Sequence, residues 1–363
     1  MYELVTVLGT VSTITVVIDL LLIWFWYAHH QAYNASPAEG LPKVSVLVAA
    51  RNEEQNIGRC IHALLSLNYP KDKLDIIIGD DSSEDNTLRE ARHAAKGSTQ
   101  VNVMEISENL GNARGKANVL AQLAKEAQGD IFFITDADIA VNENWITGML
   151  HGLKPGVGIV NGVTAVEDHG LQNVDWLFAA GMIKVITDLG MPVTAIGNNM
   201  CVTKEAYESV GGYENIPFSI TEDYELFRQV RNKGFGLVQL MKPEVLAWTK
   251  SIRGIKNLLH QRKRWMLGAV QLPVPVVVLL LFQALFHWMV VPLLFIAPYL
   301  GGSILLFKML VQIFFIIVIH KKLKLPVRWT SVLSYEPYSF GLSLLSSIFF
   351  LIPAKVKWKG RKY

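Results

Sequence analysis

The apolar run at residues 131–135 ends in Asp136-Ala137-Asp138. In an extended chain alternate residues face the same way, so both carboxylates can point into one site. Two converging carboxylates repel each other unless a cation lies between them. Mg²⁺ or Mn²⁺ prefers such oxygen ligands, completed by phosphate oxygens. A pair of turn aspartates is the bland alternative. A second acidic cluster, Asp80-Asp81-Ser82-Ser83, follows the apolar run 74–79. Its carboxylates can accept hydrogen bonds from a nucleotide base and ribose, or they can cap the helix that follows.

Other stretches could serve the same chemistry. Ala49-Ala50-Arg51-Asn52-Glu53-Glu54 closes the apolar run 44–50. In Asn109-Leu110-Gly111-Asn112-Ala113-Arg114-Gly115-Lys116, glycines let the backbone approach a ligand and a cation at a helix start can meet a phosphate. The spacing is not that of a Walker A loop, and a plain loop is the other reading. Glu222 and Asp223 open the helical run 224–231, where a helix dipole favours acids in any case. Gln261-Arg262-Lys263-Arg264-Trp265 precedes an apolar segment, and by itself it reads as an interfacial anchor.

The elements that must position these residues have a regular rhythm. Strand-like runs at 44–50, 74–79, 101–106 and 131–135 alternate with helical spacing at 55–67, 85–96 and 116–128. Strand and helix in alternation predict an α/β domain with a central, mostly parallel sheet covered on both faces. Ligands of such sheets bind at the carboxyl ends of the strands, where the acidic clusters fall.

The chain is 51% hydrophobic and only 18% charged, against roughly 25% charged in an ordinary soluble domain. The deficit lies at the ends, because residues 41–272 hold 51 of the 65 charged side chains. Disordered proteins, disulfide scaffolds and purely soluble enzymes are thereby excluded. Residues 4–27 are long enough to span a bilayer and lack the basic start of a signal peptide. Residues 274–297 and 303–319 read as two spans joined by a turn at 298–302, with Lys308 inside the second. Such a lysine snorkels, finds a partner or serves function. The net charge of +3 conceals +9 from residue 273 onward, which reads as membrane orientation and anionic-lipid contact, not nucleic-acid binding. Cys60 and Cys201 form no motif and fit a reducing compartment.

A further apolar stretch, 339–352, has basic residues on both sides and is short for a span. It is expected to dip without crossing, leaving the tail cytoplasmic. The same topology makes the sequon Asn34-Ala35-Ser36 cytoplasmic and inert.

Taken in order, Asp-Asp, Asp-Ala-Asp, Thr-Glu-Asp and Gln-x-x-Arg-Trp leading into membrane spans resemble the inverting family-2 glycosyltransferases over residues 42–268. Ala49 stands where that family often has proline. Gly115-Lys116-Ala117-Asn118, Gly197-Asn198-Asn199-Met200 and Gly211-Gly212-Tyr213 are similar to its Gly-Lys and acceptor-side segments. The resemblance implies a GT-A fold with transmembrane helices at both ends. The expected domains are an N-terminal anchor (1–30), a linker (31–42), a cytoplasmic catalytic domain (43–270) and a C-terminal membrane region (271–363) ending in a basic tail.

Carried over residue by residue, the resemblance gives Asp80 and Asp81 the uracil and ribose of a UDP-sugar, with Ala49, Arg51, Glu53 and Lys116 in the same donor site. Asp138, helped by Asp136, would hold Mg²⁺ or Mn²⁺ on the diphosphate. Asp223, beside Glu222, would be the general base, while Gln261, Arg264, Trp265, Asn198 and Asn199 would meet the diphosphate and acceptor. The implied activity is transfer of a sugar to a lipid at the cytoplasmic face of a bacterial inner membrane. A processive synthase of the cellulose or hyaluronan kind shares Gln-x-x-Arg-Trp and is the alternative. A non-catalytic scaffold is disfavoured because every expected acid is present. The ending at 356–363 resembles that of ceramide and carotenoid glucosyltransferases, or it is a plain basic, aromatic tail.

Overall fold

The computed structural model describes residues 1–33, 40–269 and 271–353, and the backbone of Lys357–Trp358 and Arg361–Lys362. The sequon at 34–36 and most of the 356–363 tail lie outside the described residues.

The chain opens with α1 (Tyr2–His29). An alternating series follows: β1 (Val44–Ala50), α2 (Ile57–Leu65), β2 (Leu74–Asp80), α3 (Thr87–Ala94), β3 (Val101–Glu105), α4 (Lys116–Glu126) and β4 (Ile131–Asp136). Next come β5 (Ala140–Val141), α5 (Trp145–Leu150), β6 (Val157–Asn161), β7 (Val163–Val166), α6 (Leu171–Asp188), β8 (Asn199–Thr203), α7 (Lys204–Ser209), α8 (Glu222–Asn232), β9 (Gly236–Gln239) and β10 (Leu246–Thr249). The helices α9 (Ile255–Ala269), α10 (Val274–Ile296), α11 (Pro298–Lys322), α12 (Trp329–Leu333) and α13 (Tyr335–Leu351) follow, and Lys357–Trp358 then pairs antiparallel with Arg361–Lys362.

These elements form two compact units. The sheet unit comprises Ala32–Asp168, Thr194–Ser251 and Lys357–Tyr363. Its main sheet runs β3-β2-β1-β4-β8-β6-β9, and a small second sheet runs β5-β10-β7. The first four strands are parallel, while β8 is antiparallel to both its neighbours. The strand order turns back beside β1, since β2 and β3 lie on one side and β4 on the other. That is the switch point at which open α/β sheets bind ligands.

The β1 sequence Val-Ser-Val-Leu-Val-Ala-Ala is buried on both faces, as a central parallel strand requires. Its one hydroxyl, Ser45, donates to Asp75 (2.8 Å) and accepts from the Gly129 N–H (2.8 Å), so no buried polar group there is stranded. Val46, Val48, Ile76, Ile78 and Phe133 form the core with Ile57, Ile61 and Leu64 of α2 and Trp145 of α5. Both cysteines are buried free thiols.

The helical unit comprises Met1–Gln31, His169–Val193 and Ile252–Val356. It therefore takes α6 and α9 out of the 43–270 stretch. The reason is packing: α6 lies against α1, α11, α12 and α13, and α9 against α13. Among the described residues of this unit, α1, α10 and α11 are long and apolar enough to cross a membrane. The turn expected at 298–302 is instead the first turn of α11, which begins directly at Pro298. Proline suits a first helical position because its missing N–H has no partner there anyway. A Cβ at Gly301 would lie 2.8 Å from the Leu294 nitrogen, so this glycine permits the close approach of α10 and α11. The apolar stretch 339–352 belongs to α13, whose 17 residues extend about 25 Å, less than the ~30 Å hydrocarbon core.

Lys308 neither snorkels nor stands alone. Its ammonium lies 3.1 Å from Asp19 of α1, both side chains almost fully buried, and Asp19 also accepts from Gln283 of α10 (2.6 Å). One carboxylate thus joins all three apolar helices. Replacing Lys308 by Met should leave Asp19 buried without its cation, a loss of about 3–5 kcal/mol, whereas the D19N/K308M pair should recover much of it. Thermal unfolding of the detergent-solubilised protein measures both, and equal melting temperatures for K308M and wild type would contradict the pairing.

Candidate active site

The carboxyl ends of β2, β1 and β4 lie side by side, with Ala49 opposite Gly79 on one flank and Asp136 on the other. The donor-side residues gather beside β2. Arg51 donates to the carbonyls of Asp81 (2.5 Å) and Ser82 (3.0 Å) and pairs with Glu84 (3.0 Å), clasping the loop after β2 to the end of β1. The Asp81 N–H donates to the Ala50 carbonyl (2.8 Å), which holds this residue at the carboxyl end of the sheet. Asp80 accepts from the Ser83 N–H (2.9 Å) and hydroxyl (2.6 Å), so its carboxylate shapes the turn. The capping alternative is realised one step on, where Asp85 accepts from the Thr87 N–H (2.9 Å) at the start of α3. Glu53 is buried and takes a hydrogen bond from Asn56 (2.7 Å), which in turn accepts from Lys250 (2.8 Å).

Lys116, at the first position of α4, joins strand β4 to helix α8. Its ammonium lies 2.6 Å from Asp136 and 3.0 Å from Glu222, and it donates to the Gly197 carbonyl (3.4 Å). Burial disfavours this charge, but the carboxylates of Asp136, Glu222 and Asp223 outweigh it and raise the lysine above its usual range. It is a permanent cation between two acidic clusters. The loop before it is organised by Asn118, which accepts from the Leu110 N–H (2.7 Å) and donates to the Glu108 carbonyl (2.8 Å).

Asp223 sits in the first turn of α8 with both carboxylate oxygens engaged by backbone N–H groups, Gly197 at 2.9 Å and Tyr224 at 2.8 Å. A side chain at position 197 would bring its Cβ within 2.8 Å of the Asp223 Cβ, so only glycine lets that backbone reach the acid. Burial, and then the Glu222 carboxylate, raise the Asp223 pKa, while Lys116 and the two N–H groups pull against them. The result is an oriented acid with more proton affinity than a free aspartate.

Two residues beyond the strand end, Asp138 is pushed up to about 6 by burial and by the neighbouring Asp136 carboxylate. A carboxylate pair in that condition gains from a cation. Among the described residues no three His, Cys, Asp or Glu side chains converge to enclose one. Asp136 and Asp138 offer the hard oxygen ligands that Mg²⁺ or Mn²⁺ prefers and could hold such an ion in part, with phosphate oxygens and water as its other ligands.

Some assignments need correction. Asn199 is fully buried, and its amide is taken by the Trp145 indole N–H (2.8 Å) and the carbonyls of Val163 and Val245 (both 3.0 Å). It is a framework residue with nothing left for a diphosphate or an acceptor. Asn198, only partly buried, needs no such correction: its carbonyl accepts from Thr135 (2.9 Å) and its side-chain oxygen from Thr164 (2.9 Å), contacts that do not conflict with a place beside the diphosphate or acceptor. Tyr213 is buried, so it presents no surface to an acceptor. Arg59 had no signal in the sequence, yet it reaches the Asp138 carbonyl, the Trp248 carbonyl and Glu167.

Gln261, Arg264 and Trp265 lie on α9, in the helical unit. Gln261 is buried, and the Trp265 ring lies 5.4 Å from that of Trp176 and 4.7 Å from the Arg262 guanidinium.

A family model for glycosyl transferase family 21 matches residues 4–363. The chain belongs to that family. The match bears out the resemblance to GT-A membrane glycosyltransferases and covers the long apolar helices as well as the sheet. Curated relatives include beta-monoglucosyldiacylglycerol synthase of Synechocystis, 27% identical over 63% of this chain and 48% of the relative. Poly-beta-1,6-N-acetyl-D-glucosamine synthase of Staphylococcus aureus is 27% identical over 68% of this chain and 60% of the relative. The chain thus spans about half the length of these relatives. Among solved structures, a mannosyltransferase from Pyrobaculum calidifontis in complex with GDP-Man and Mn²⁺ superposes with a TM-score of 0.61, at 17% identity, covering 95% of this chain and 99% of that one. The family-21 chain therefore has a GT-A-like fold, with apolar helices at both ends.

Proposed function

We propose that this family-21 enzyme moves a single sugar from a UDP-sugar to the hydroxyl of a membrane lipid, with inversion at the anomeric carbon, at the cytoplasmic face of a bacterial inner membrane. The observation that carries the reading is the arrangement about Lys116, with an oriented, proton-hungry Asp223 on one side and the Asp136/Asp138 carboxylate pair on the other. A single displacement needs those two facilities on opposite sides of the transferred sugar.

Asp223 accepts the proton of the attacking hydroxyl, its oxygens aimed by the N–H groups of Gly197 and Tyr224. Asp81 and Glu53 take the base and ribose on the β2 side, with Arg51 and Asp80 fixing the loop that presents them. Lys116 faces the charge of the diphosphate. Asp136 and Asp138 would hold Mg²⁺ or Mn²⁺, which when bound supplies positive charge to the departing diphosphate. For Gln261, Arg264 and Trp265 the proposal rests on the motif, which assigns them to the diphosphate and acceptor.

A lipid acceptor is supported by the glycolipid-synthase relative and by three helices able to cross a membrane. The polysaccharide-synthase relative favours a second reading, repeated addition to one chain. Membranes containing the enzyme, incubated with a panel of labelled nucleotide sugars, separate the two. The expected result is label from a UDP-sugar in a lipid, identified by mass spectrometry. Label in a high polymer would favour the second reading, and label only from another nucleotide would replace UDP.

A further inference from the structure

Three residues on one face of α6 hold α9. Gln172, Asp175 and Trp176 stand at positions i, i+3 and i+4, the spacing that places side chains together on a helix. The Gln172 amide closes a two-way hydrogen bond with the backbone of Ile252, just before α9, at 2.9 and 3.0 Å. Asp175, one turn on, pairs with Arg262 and also accepts the Tyr335 hydroxyl of α13 (3.0 Å). Trp176 lies edge-on to Trp265. Arg262 in turn lies over the Trp265 ring, and Lys263, almost fully buried, donates to the Ile352 carbonyl at the end of α13 (2.5 Å). The two residues between Gln261 and Arg264 are thus the ones that tie the helix down.

We propose that Asp175 is a positioning residue for the acceptor-side helix: by holding Arg262 over the Trp265 ring and joining α6 to α13, it sets the orientation of the Gln261–Trp265 face. This rests on the reading that Trp265 meets the acceptor. Nothing in the motif names Asp175, which lies far upstream of α9. A carboxylate that receives both a guanidinium and a phenol fixes two neighbours at once, whereas an amide in its place loses the charge pairing.

The full chain in lipid nanodiscs, with UDP-glucose as donor probe and dioleoylglycerol as acceptor probe, allows a kinetic test. Asp175→Asn should raise the acceptor KM about tenfold, as expected of a small misplacement remote from the chemistry, with UDP affinity within about twofold of wild type. Asp175→Glu, which keeps the carboxylate, should restore much of the loss. Trp265→Ala separates the two layers. If it leaves the acceptor KM unchanged, the acceptor-side reading fails. If it raises KM while D175N does not, this inference alone is overturned. A second measurement needs no turnover: in protein labelled with 5-fluorotryptophan, the ¹⁹F resonance of Trp265, assigned with W265F, should move in D175N and in the milder Tyr335→Phe. An unmoved line in both variants would also overturn the proposal.

Discussion

Replacing Asp223 by Asn is expected to reduce transfer by on the order of 10²–10⁴-fold, the range a positioned general base contributes, while UDP still binds. The change is small in shape and large in consequence. Asn keeps one oxygen acceptor, so either the Gly197 or the Tyr224 N–H can be satisfied, but not both as now. Turnover at wild-type rate would remove Asp223 from the mechanism. The pH profile supplies an independent mark. Because burial and Glu222 raise the Asp223 pKa, the acid limb of kcat/KM should fall above the ~4 of an ordinary carboxylate and should be absent from the residual activity of D223N.

The second large effect concerns Asp138, where activity and stability should move in opposite directions. Asp138→Asn, or chelation of the wild type, is expected to cost about 10³-fold or more in transfer, and added Mg²⁺ or Mn²⁺ should rescue only the wild type. Full activity in excess chelator would contradict the metal assignment. Stability follows from the raised pKa of about 6, against 3.8 for a free aspartate. Between those values the folded state binds more protons than the unfolded, so its stability falls as pH rises through the window and stays lowered at pH 7. Removing the charge should therefore hold or raise the melting temperature at neutral pH without metal, as is common when a functional site is neutralised. Adding Mn²⁺ should raise the melting temperature of the wild type and leave D138N unmoved.

How far the site could be read from the chain depended on distance along it. Asp136 and Asp138 are visible because alternate positions of one extended segment share a face, and the strands bearing Ala49, Asp80 and Asp136 because buried parallel strands have a plain signature. The bridge from Lys116 to Glu222 was not visible, since more than a hundred residues and an antiparallel return through β8 separate its ends. Asn199 shows the opposite failure. Its motif suggested a ligand group, but a short motif does not say which way an amide points, and here it points into the framework. The Pro-Tyr-Leu-Gly-Gly stretch at 298–302 reads as a turn, yet proline also begins helices well, and α11 starts there. The membrane cation Lys308 could be expected to need a partner, but nothing in the spacing named Asp19.

A single inverting displacement onto a lipid leaves its mark on the product. Purified enzyme, given one UDP-sugar and one lipid acceptor, should yield a glycolipid heavier by one sugar, with an anomeric configuration opposite to the donor's by NMR. A ladder of added sugars, or a product that retains the donor's configuration, would contradict the account.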